Sequence, residues 1–235
     1  MDIVIIGAGG HGRVVLDIIR AENKHRPVGF LDGNELLKGQ SVDSLPVLGD
    51  IMNTEQLKYK GVTGAIIAIG DNRIRREYAT LVENCGLELI NAIHPTANIA
   101  SASQIGNNVV IAAGAMLCAH CRIGDSAILN TGSIVDHESV IGTAAHICPG
   151  SRLAGRVMVQ SGAFVGIGAT VIQNITIGTD AVVGAGAVVI RDVPAGCTVV
   201  GVPARMVRSG RSAAVRFPAN VSPPMERHPV ATHVN

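Results

Sequence analysis

The sequence predicts an N-terminal α/β domain followed by a parallel β-helix. Two observations carry this prediction. An aliphatic residue recurs at every sixth position from Ile93 to Val189, and a glycine-rich turn at residues 7–12 separates an apolar run from a helical pattern. A period of six fits neither the 3.6-residue turn of an α-helix nor the two-residue repeat of an ordinary strand. It is typical of hexapeptide repeats, in which short strands stack into parallel coils.

The composition agrees with a core made of aliphatic ladders rather than aromatic rings. Of the 235 residues, 47% are hydrophobic, yet there are only 2 Tyr, 3 Phe and no Trp. Small residues stand two positions before most of the recurring aliphatic residues, and we expect them to let the chain bend at the corners of each coil. The repeat contains no insertion. Any chemistry on the coil therefore has to come from side chains on its surface.

The α/β domain is predicted from apolar, β-branched runs that alternate with helical patterns. The expected order is strand, helix, strand, strand, helix, strand, at residues 2–6, 13–21, 27–32, 63–69, 73–85 and 87–90. Asn72 is the expected N-cap of the second helix. We predict a Rossmann-like domain at 1–91, a β-helix domain at 92–206 and a disordered, Arg-, Pro- and Ser-rich tail at 207–235.

The turn GAGGHG at 7–12 lies between the first strand and the first helix, and Asp32 follows the second strand. The GxGxxG pattern alone predicts a dinucleotide site, because glycines permit close approach and a helix N-terminus favours phosphate. The domain is only about half the size of a full dinucleotide fold. The pattern therefore favours a nucleotide-sugar diphosphate over NAD or a purely structural turn. His11 can donate to a phosphate or a sugar hydroxyl, or it is an exposed loop residue.

Charge and cysteine content exclude several function classes. The formal net charge of +1 gives no reason to expect a nucleic-acid or anionic membrane partner. The apolar runs fall short of the roughly 20 residues that a membrane helix needs, and the N-terminus lacks a basic signal-peptide region. The 5 Cys lack a second zinc-binding pair, so we expect free thiols in a reducing cytoplasm and no metal site.

The clearest polar segment in the coil is NTGSIVDHE at 130–138. His137 stands two residues past the inward-facing Val135, so we expect it to face outward near a corner. A neutral imidazole can accept the proton that an attacking amine must lose, and the adjacent Glu138 can orient the ring. The alternative is a solvated polar corner. His146 lies half a coil away, and the two histidines could meet across a subunit boundary.

The chain up to about Met206 resembles the sugar acetyltransferases that join an N-terminal nucleotide-binding α/β domain to a left-handed β-helix. The matching motifs are GAGGHG at 7–12, FLD at 30–32, AIGDN at 68–72, NTGSIVDHE at 130–138, AHICPG at 145–150 and GVPAR at 201–205. The resemblance implies acetyl-CoA-dependent N-acetylation of the 4-amino group of a nucleotide-linked 4-amino-4,6-dideoxy sugar in glycan biosynthesis. It also implies a homotrimer.

The same resemblance implies roles for individual residues. The reaction would involve His137 as general base, Glu138 as its partner, and Asn130. The nucleotide sugar would contact Gly9, Gly10, His11, Asp32, Gly33 and Gly70. Acetyl-CoA would contact His146, Gly155, Ile167 and Ala185. The chain departs from the family at Gly33, where some relatives carry a second Asp, and at Ala185, where some carry Gly.

Several alternatives stay open at this point. The nucleotide could be UDP, GDP or dTDP, and a nearby branch of the family O-acetylates sialic acid. His120 lies about one coil below His137 and could form a wall of the same cleft. A zinc-dependent hydratase, as in β-helix carbonic anhydrases, would need His120, His137 and His146 to converge, and their spacing does not favour this. A non-catalytic scaffold is the remaining class.

Overall fold

The computed structural model describes residues 1–208. The tail that the sequence predicts to be disordered begins at residue 207. Its residues from 209 onward lie outside the described part of the chain. In the α/β domain the strands are β1 (Asp2–Ile6), β2 (Arg26–Leu31), β3 (Ser41–Val42), β4 (Leu45–Pro46), β5 (Gly64–Ile67) and β6 (Glu88–Leu89). The α-helices are α1 (Gly10–Glu22), α2 (Thr54–Tyr59) and α3 (Asn72–Asn84), and 3₁₀ turns lie at Glu35–Leu37 and Ile51–Asn53.

Four of these strands form one parallel sheet in the order β2-β1-β5-β6. The central strand β1 is apolar on both of its faces because the sheet is covered on both sides. Helix α1 packs on one side with Ile3, Ile5 and Phe30, and this core continues into the β-helix through Val110 and Ile128. Helices α2 and α3 cover the other side. The two domains therefore share a hydrophobic core.

The helix starts differ from the expectation. Helix α1 begins at Gly10 rather than residue 13, so half of the glycine-rich turn is its first turn. Asn72 is not the N-cap of α3. Asp71 caps that helix, since its side chain accepts hydrogen bonds from the backbone N–H groups of Arg73 and Ile74. The β3–β4 hairpin and helix α2 were not expected, because their short segments carry no clear periodicity.

The predicted β-helix is confirmed as a solenoid of about 6 turns. Each turn contributes one two-residue strand to each of three sheets, and the strands within a sheet run parallel. The last two strands are longer, and the final one pairs antiparallel with the strand before it. The strands are β7 (Ala92–Ile93), β8 (Asn98–Ile99), β9 (Gln104–Ile105), β10 (Val110–Ile111), β11 (Met116–Leu117), β12 (Arg122–Ile123), β13 (Ile128–Leu129), β14 (Ile134–Val135), β15 (Val140–Ile141), β16 (His146–Ile147), β17 (Arg152–Leu153), β18 (Met158–Val159), β19 (Phe164–Val165), β20 (Thr170–Val171), β21 (Thr176–Ile177), β22 (Val182–Val183), β23 (Val188–Val189), β24 (Thr198–Val200) and β25 (Arg205–Arg208).

The three sheets are the faces of a triangular prism. We call the sheet of β7, β10, β13, β16, β19, β22, β24 and β25 the domain face, because its outer side packs on the α/β domain. The second face holds β8, β11, β14, β17, β20 and β23, and the third face holds β9, β12, β15, β18 and β21. The recurring aliphatic residues point inward, as predicted. Burying each one contributes about 1.5–3 kcal/mol.

The small residues before each strand have a different role from the one expected. They point into the core, as Ala115, Ser133 and Ala145 do, each with no exposed surface. The bend is made by the residue just before each small one, which adopts a left-handed conformation. Glu138, for example, has φ of +58°. Small side chains are therefore required at this position by crowding inside the prism, and left-handed residues turn the corner.

Candidate functional site

A cleft of about 310 Å³ opens where strands β1, β2 and β5 end. The carboxyl ends of parallel strands are the usual ligand-binding edge of an open α/β sheet. The cleft is lined by the residues predicted to hold the nucleotide sugar, namely Gly9, Gly10, His11, Asp32, Gly33 and Gly70. Their contacts with a ligand stay predictions, but the structure brings these residues together around one cavity. Ile74 and Tyr78 of α3 also border it, and sequence reasoning missed both.

The glycines around the cleft are of two kinds. Some have a backbone neighbour so close that no side chain fits, and the others face open space. A Cβ added at Gly12 would overlap the carbonyl oxygen of Gly7, which itself has φ of +106°. A Cβ at Gly10, Gly33 or Gly70 would meet no atom within 4 Å. The first pair closes the turn, and the other three leave room for a ligand. The helix N-cap, Gly9, makes no side-chain hydrogen bond to the first turn.

Asp32 holds the turn in place from the end of β2. Its Oδ2 accepts a hydrogen bond from the backbone N–H of Ala8 at 2.7 Å, and its Oδ1 accepts one from the N–H of Asn34 at 2.8 Å. A carboxylate has about four acceptor positions, so two remain. Asp32 can therefore hold the glycine turn and still accept a hydrogen bond from a hydroxyl group of a ligand.

Next to the cleft, two histidines meet where the α/β domain contacts the domain face. We call this group of His11, His146 and Asn130 the seam. The imidazole centroids of His11 and His146 lie 6.4 Å apart. The Nε2 atom of His146 lies 3.3 Å from Nδ2 of Asn130, and Phe164 packs edge-on against its ring at 5.3 Å. His146 is only 8% exposed. Its predicted contact with coenzyme A stays a prediction.

Both seam histidines are neutral at physiological pH. Burial lowers the pKa of His11 to about 4, and the positive charge of Arg75 lowers it further. Burial likewise lowers the pKa of His146 to about 3, with Arg75 and His11 adding to the effect. Within residues 1–208, the Nε2 atom of His11 and the Nδ1 atom of His146 are buried without a hydrogen-bond partner. Each neutral ring therefore has one nitrogen whose hydrogen-bonding capacity is not used by the described residues.

The predicted general base lies elsewhere, at the corner between the second and third faces. We call this corner the far edge and define it by His137, Glu138, Gly155 and Arg156. The Nδ1 atom of His137 lies 3.3 Å from Oε2 of Glu138, and Nη1 of Arg156 donates to the same oxygen at 3.4 Å. The His137 side chain is 48% exposed. Hydrogen bonds from His137 and then Arg156 hold the pKa of Glu138 below its ordinary value.

This geometry determines which imidazole nitrogen is available. An ionised carboxylate can only accept hydrogen bonds, so Nδ1 of His137 carries the proton and Nε2 keeps its lone pair. Gly155 lies directly beside that nitrogen, and a Cβ added there would overlap Nε2. Gly155 therefore keeps the basic atom of His137 open, in addition to any contact it makes with coenzyme A.

The far edge and the cleft are separated within one chain. The far edge joins the second and third faces, and the α/β domain covers the domain face. In a triangular prism, a corner lies opposite the face to which it does not belong. His137 thus projects on the side of the prism away from its own cleft, while Asn130 lies with His146 in the seam. The residues predicted to act in the reaction are not brought together by a single chain.

The other predicted coenzyme A contacts also divide between corners. We call the corner between the domain face and the second face the near edge, defined by Thr131, Pro149, Ile167 and Ala185. Ile167 is 60% exposed, and Ala185 is also exposed. Gly155 lies on the far edge. An exposed isoleucine beside an exposed alanine suits an apolar partner, and the three contacts can join one groove only when two chains are apposed.

Two charged residues of this architecture were missed at the sequence level. Arg75 is fully buried between the domains, and nothing in the helical pattern of α3 distinguishes it from the exposed arginines beside it. Arg156 could have been found, because it lies 18 residues after Glu138, which is one coil. His120 stands one coil before Glu138 on the same corner and is exposed, so it borders the far edge, and a role for it in the site stays a prediction.

Three further features of the described residues concern metal binding, membrane-spanning helices and cysteine pairing. Among residues 1–208, no group of three or more His, Cys, Asp or Glu side chains is arranged to hold a metal ion. No helix in that range has the length and apolarity needed to span a membrane. The five cysteines are unpaired, and Cys121, Cys148 and Cys197 are buried.

Comparison with known proteins gives matches along the described chain. Residues 2–82 match the family model described as the PglD N-terminal domain. A UDP-N-acetylbacillosamine N-acetyltransferase of Bacillus subtilis (strain 168) is 36% identical over 126 residues, which cover 48% of this chain and 51% of that enzyme. The match thus spans about half the length of this relative.

Solved structures match over more of their length. Perosamine N-acetyltransferase from Caulobacter crescentus, in complex with CoA and GDP-perosamine, is 40% identical with a TM-score of 0.86, covering 89% of this chain and 98% of that one. The acetyltransferase domain of PglB from Neisseria gonorrhoeae FA1090, in complex with acetyl coenzyme A, is 33% identical with a TM-score of 0.82, covering 88% and 98%. The predicted left-handed β-helix is confirmed by these matches.

Proposed function

Because the chain belongs to the family of hexapeptide-repeat N-acetyltransferases that act on nucleotide-linked amino sugars, we propose that it acetylates such a sugar. The acetyl donor is acetyl-CoA, and the acceptor is the 4-amino group of a nucleotide-linked 4-amino-4,6-dideoxy sugar. The observation that carries this proposal is the pair of complementary sites: a glycine-lined cleft in the α/β domain and an imidazole–carboxylate pair on the coil.

The cleft suits the diphosphate and the nucleoside. The first turn of α1 offers backbone N–H groups without a side-chain cap at Gly9, and a helix N-terminus favours a phosphate. Gly10, Gly33 and Gly70 leave open space where side chains would stand. His11, Asp32 and Tyr78 are the side chains with polar groups that line the cleft. In this arrangement the diphosphate lies along the glycine turn and the sugar extends out of the cleft.

The far edge suits proton transfer during acyl transfer. The sugar amine attacks the thioester carbonyl, a C–N bond forms, and the C–S bond of acetyl-CoA breaks to release the coenzyme A thiol. Nε2 of His137 accepts the proton that the amine loses, while Glu138 holds Nδ1–H and stabilises the imidazolium. A backbone N–H is the expected donor to the oxyanion of the tetrahedral intermediate.

The complete site then needs two copies of the chain. Since the far edge lies opposite its own cleft, the sugar held by one chain meets His137 of a neighbouring chain. A homotrimer of parallel prisms would bring the far edge of each copy against the near edge of the next, where Ile167 and Ala185 are exposed. Closed cyclic symmetry gives every cleft one such partner.

A location of the protein in the cytoplasm remains a prediction.

A substrate panel tests the proposal. Release of free thiol from acetyl-CoA is measured with UDP-, GDP- and dTDP-linked 4-amino-4,6-dideoxy sugars, with free sialic acid as the O-acetylation alternative. We expect turnover with at least one nucleotide-linked amino sugar and none with sialic acid. Turnover of sialic acid alone would assign the chain to the O-acetylating branch. Absence of thiol release with every acceptor, in protein that binds coenzyme A, would contradict the proposed acceptor class.

A further inference from the structure

Arg75, in the first turn of α3, is among the largest fully buried side chains of the described structure and has no exposed surface. Its guanidinium spans the junction between the two domains. On the α/β side it donates to the carbonyl oxygens of Ile69 and Gly70 at 2.8 and 3.2 Å, and to Oδ1 of Asn72 at 2.8 Å. On the coil side it donates to the carbonyl oxygens of Ser126 and Ala144 at 2.7 and 2.9 Å.

Every one of these acceptors is a neutral oxygen. Asp71 is the carboxylate that acts on Arg75 electrostatically, and its Oδ1 is engaged as the cap of α3. Burial lowers the pKa of Arg75 to about 9, so the guanidinium is still protonated at neutral pH. Carbonyl dipoles satisfy its donors without neutralising its charge. Burying a cation costs desolvation free energy, and apolar residues of similar volume often stabilise a junction equally well.

The charge lies beside a cleft that has no cation of its own. Among the residues that line the cleft, none is Lys or Arg, and Asp32 brings a negative charge. His11 also lines it and is neutral, since burial holds its pKa at about 4. Arg75 contacts the cleft through Gly70, whose carbonyl it binds, and its charge reaches both His11 and His146. A nucleoside diphosphate carries at least two negative charges, which need a positive counterpart.

We propose that Arg75 is the positioning residue for the diphosphate of the nucleotide sugar. It supplies the positive charge of the cleft from behind the Ile69–Gly70 segment and fixes that segment against the coil. This inference rests on the proposed function, because it assumes that the cleft takes a nucleoside diphosphate. The positive charge acts through protein rather than water, so salt screens it less than it would screen a surface arginine.

The test compares nucleotide affinities rather than activity. Wild-type protein, Arg75→Gln, Arg75→Met, Arg75→Lys and the control Arg76→Gln are titrated by calorimetry with UDP, GDP and dTDP and with the corresponding monophosphates. Arg76 is the neighbouring arginine of the same helix and is exposed, so Arg76→Gln removes an equal positive charge that lies in solvent. The informative quantity is the ratio of diphosphate to monophosphate affinity, which loss of folded protein does not change.

We expect Arg75→Gln or Arg75→Met to weaken diphosphate binding about tenfold or more and to lower the affinity ratio several-fold. Arg75→Lys keeps the charge and should preserve the ratio, and Arg76→Gln should behave as wild type. Arg75→Met introduces no polar side chain into the junction, and it serves as the second neutral variant if Arg75→Gln fails to fold.

Unchanged diphosphate affinity in both neutral variants would overturn the inference, as would an equal loss of monophosphate and diphosphate affinity, which indicates a merely structural role. Wild-type protein that binds none of the nucleoside diphosphates would overturn the proposed function, and this inference with it. If wild-type protein binds the nucleoside diphosphates, a failure of the variants to differ counts against the inference on Arg75 alone and leaves the proposed function standing.

Discussion

The seam and the far edge hold histidines with the same side-chain chemistry in opposite surroundings. In the seam, His11 and His146 are enclosed by two domains, lie near a buried guanidinium, and have pKa values of about 4 and about 3. At the far edge, His137 is half exposed and its partner is the carboxylate of Glu138. Burial beside a cation makes an imidazole a permanently neutral hydrogen-bonding group, whereas exposure beside a carboxylate equips it to accept a proton.

The largest expected effect is at the far edge. Replacing His137 by Ala removes the proposed proton acceptor, so kcat should fall by about 10²–10⁴, the usual loss for a general base. Initial rates of thiol release from acetyl-CoA with the preferred acceptor measure this. His94→Ala, a half-buried histidine in the first coil, is the matched control and should keep wild-type activity. Near-normal turnover of His137→Ala would remove His137 from the mechanism.

A smaller effect should follow from the residue beside that imidazole. The methyl group of Gly155→Ala would overlap Nε2 of His137, so the ring has to turn away from its present position. Misplacing a catalytic group by about 1 Å costs up to about 10²-fold in rate. We expect a loss of roughly 10- to 100-fold in kcat. The melting temperature of the variant should stay within a few degrees of wild type, and full activity would show that the ring position is unimportant.

The seam should reveal itself in the pH dependence of stability. The ordinary pKa of 6.5 is lowered to about 3 for His146 and about 4 for His11, so the unfolded chain binds more protons below pH 6.5. The stabilisation is complete above about pH 6.5 and is lost as the pH falls, toward 4 for His11 and toward 3 for His146.

Denaturant unfolding at pH 7.5 and 4.5 measures this loss. The contribution of His146 should fall by on the order of 2 kcal/mol between these values. The variant His146→Gln cannot titrate, so its stability should fall less steeply, while His94→Gln should follow wild type. Parallel curves for His146→Gln and wild type would show that the seam does not hold His146 in its neutral form.

The smallest effect concerns the second partner of Glu138. Arg156 donates to the same carboxylate oxygen as His137, so Arg156→Gln leaves that carboxylate to His137 alone and removes a nearby positive charge. The pairing of His137 with Glu138 stays in place, and an exposed ion pair contributes little, so kcat and kcat/KM should each change by less than about fivefold. Initial rates of thiol release measure this, and Arg73→Gln, an exposed arginine of α3, should keep wild-type rates. A loss of more than about tenfold in Arg156→Gln alone would show that the contact between Arg156 and Glu138 is needed for turnover.

The coil could be predicted almost completely because its period records both register and burial. Each aliphatic residue that recurs at every sixth position from Ile93 to Val189 faces the core, as the period predicts. The start of α3 could not be resolved in the same way, because Asp71 and Asn72 are adjacent and both residue types cap helices. Only the packed structure shows that Asn72 instead donates to the carbonyl oxygens of Gly162 and Ala163 on the coil.

Candidate site residues could be named from the sequence where a local motif or the family resemblance supplied them, as for the glycine turn, Asp32 and His137, and their roles stay predictions. Arg75 could not be predicted, because its coil partners are backbone carbonyls 51 and 69 residues away, and a carbonyl has no residue-specific signal. The separation of the cleft from His137 was equally hidden. It depends on which face of the prism the α/β domain covers, a fact of tertiary packing that no local pattern carries.

Complementation between two inactive variants determines whether the far edge of one chain serves the cleft of another. His137→Ala has an intact cleft, and Gly10→Phe has an intact far edge but a filled cleft. Each variant alone should be inactive. Co-expressed in equal amounts and assembled at random, they should restore about one site in three in each mixed trimer. Over all trimers about one site in four then combines two intact halves, which gives roughly a quarter of wild-type activity. Mixed trimers with no more activity than either variant alone would contradict the claim.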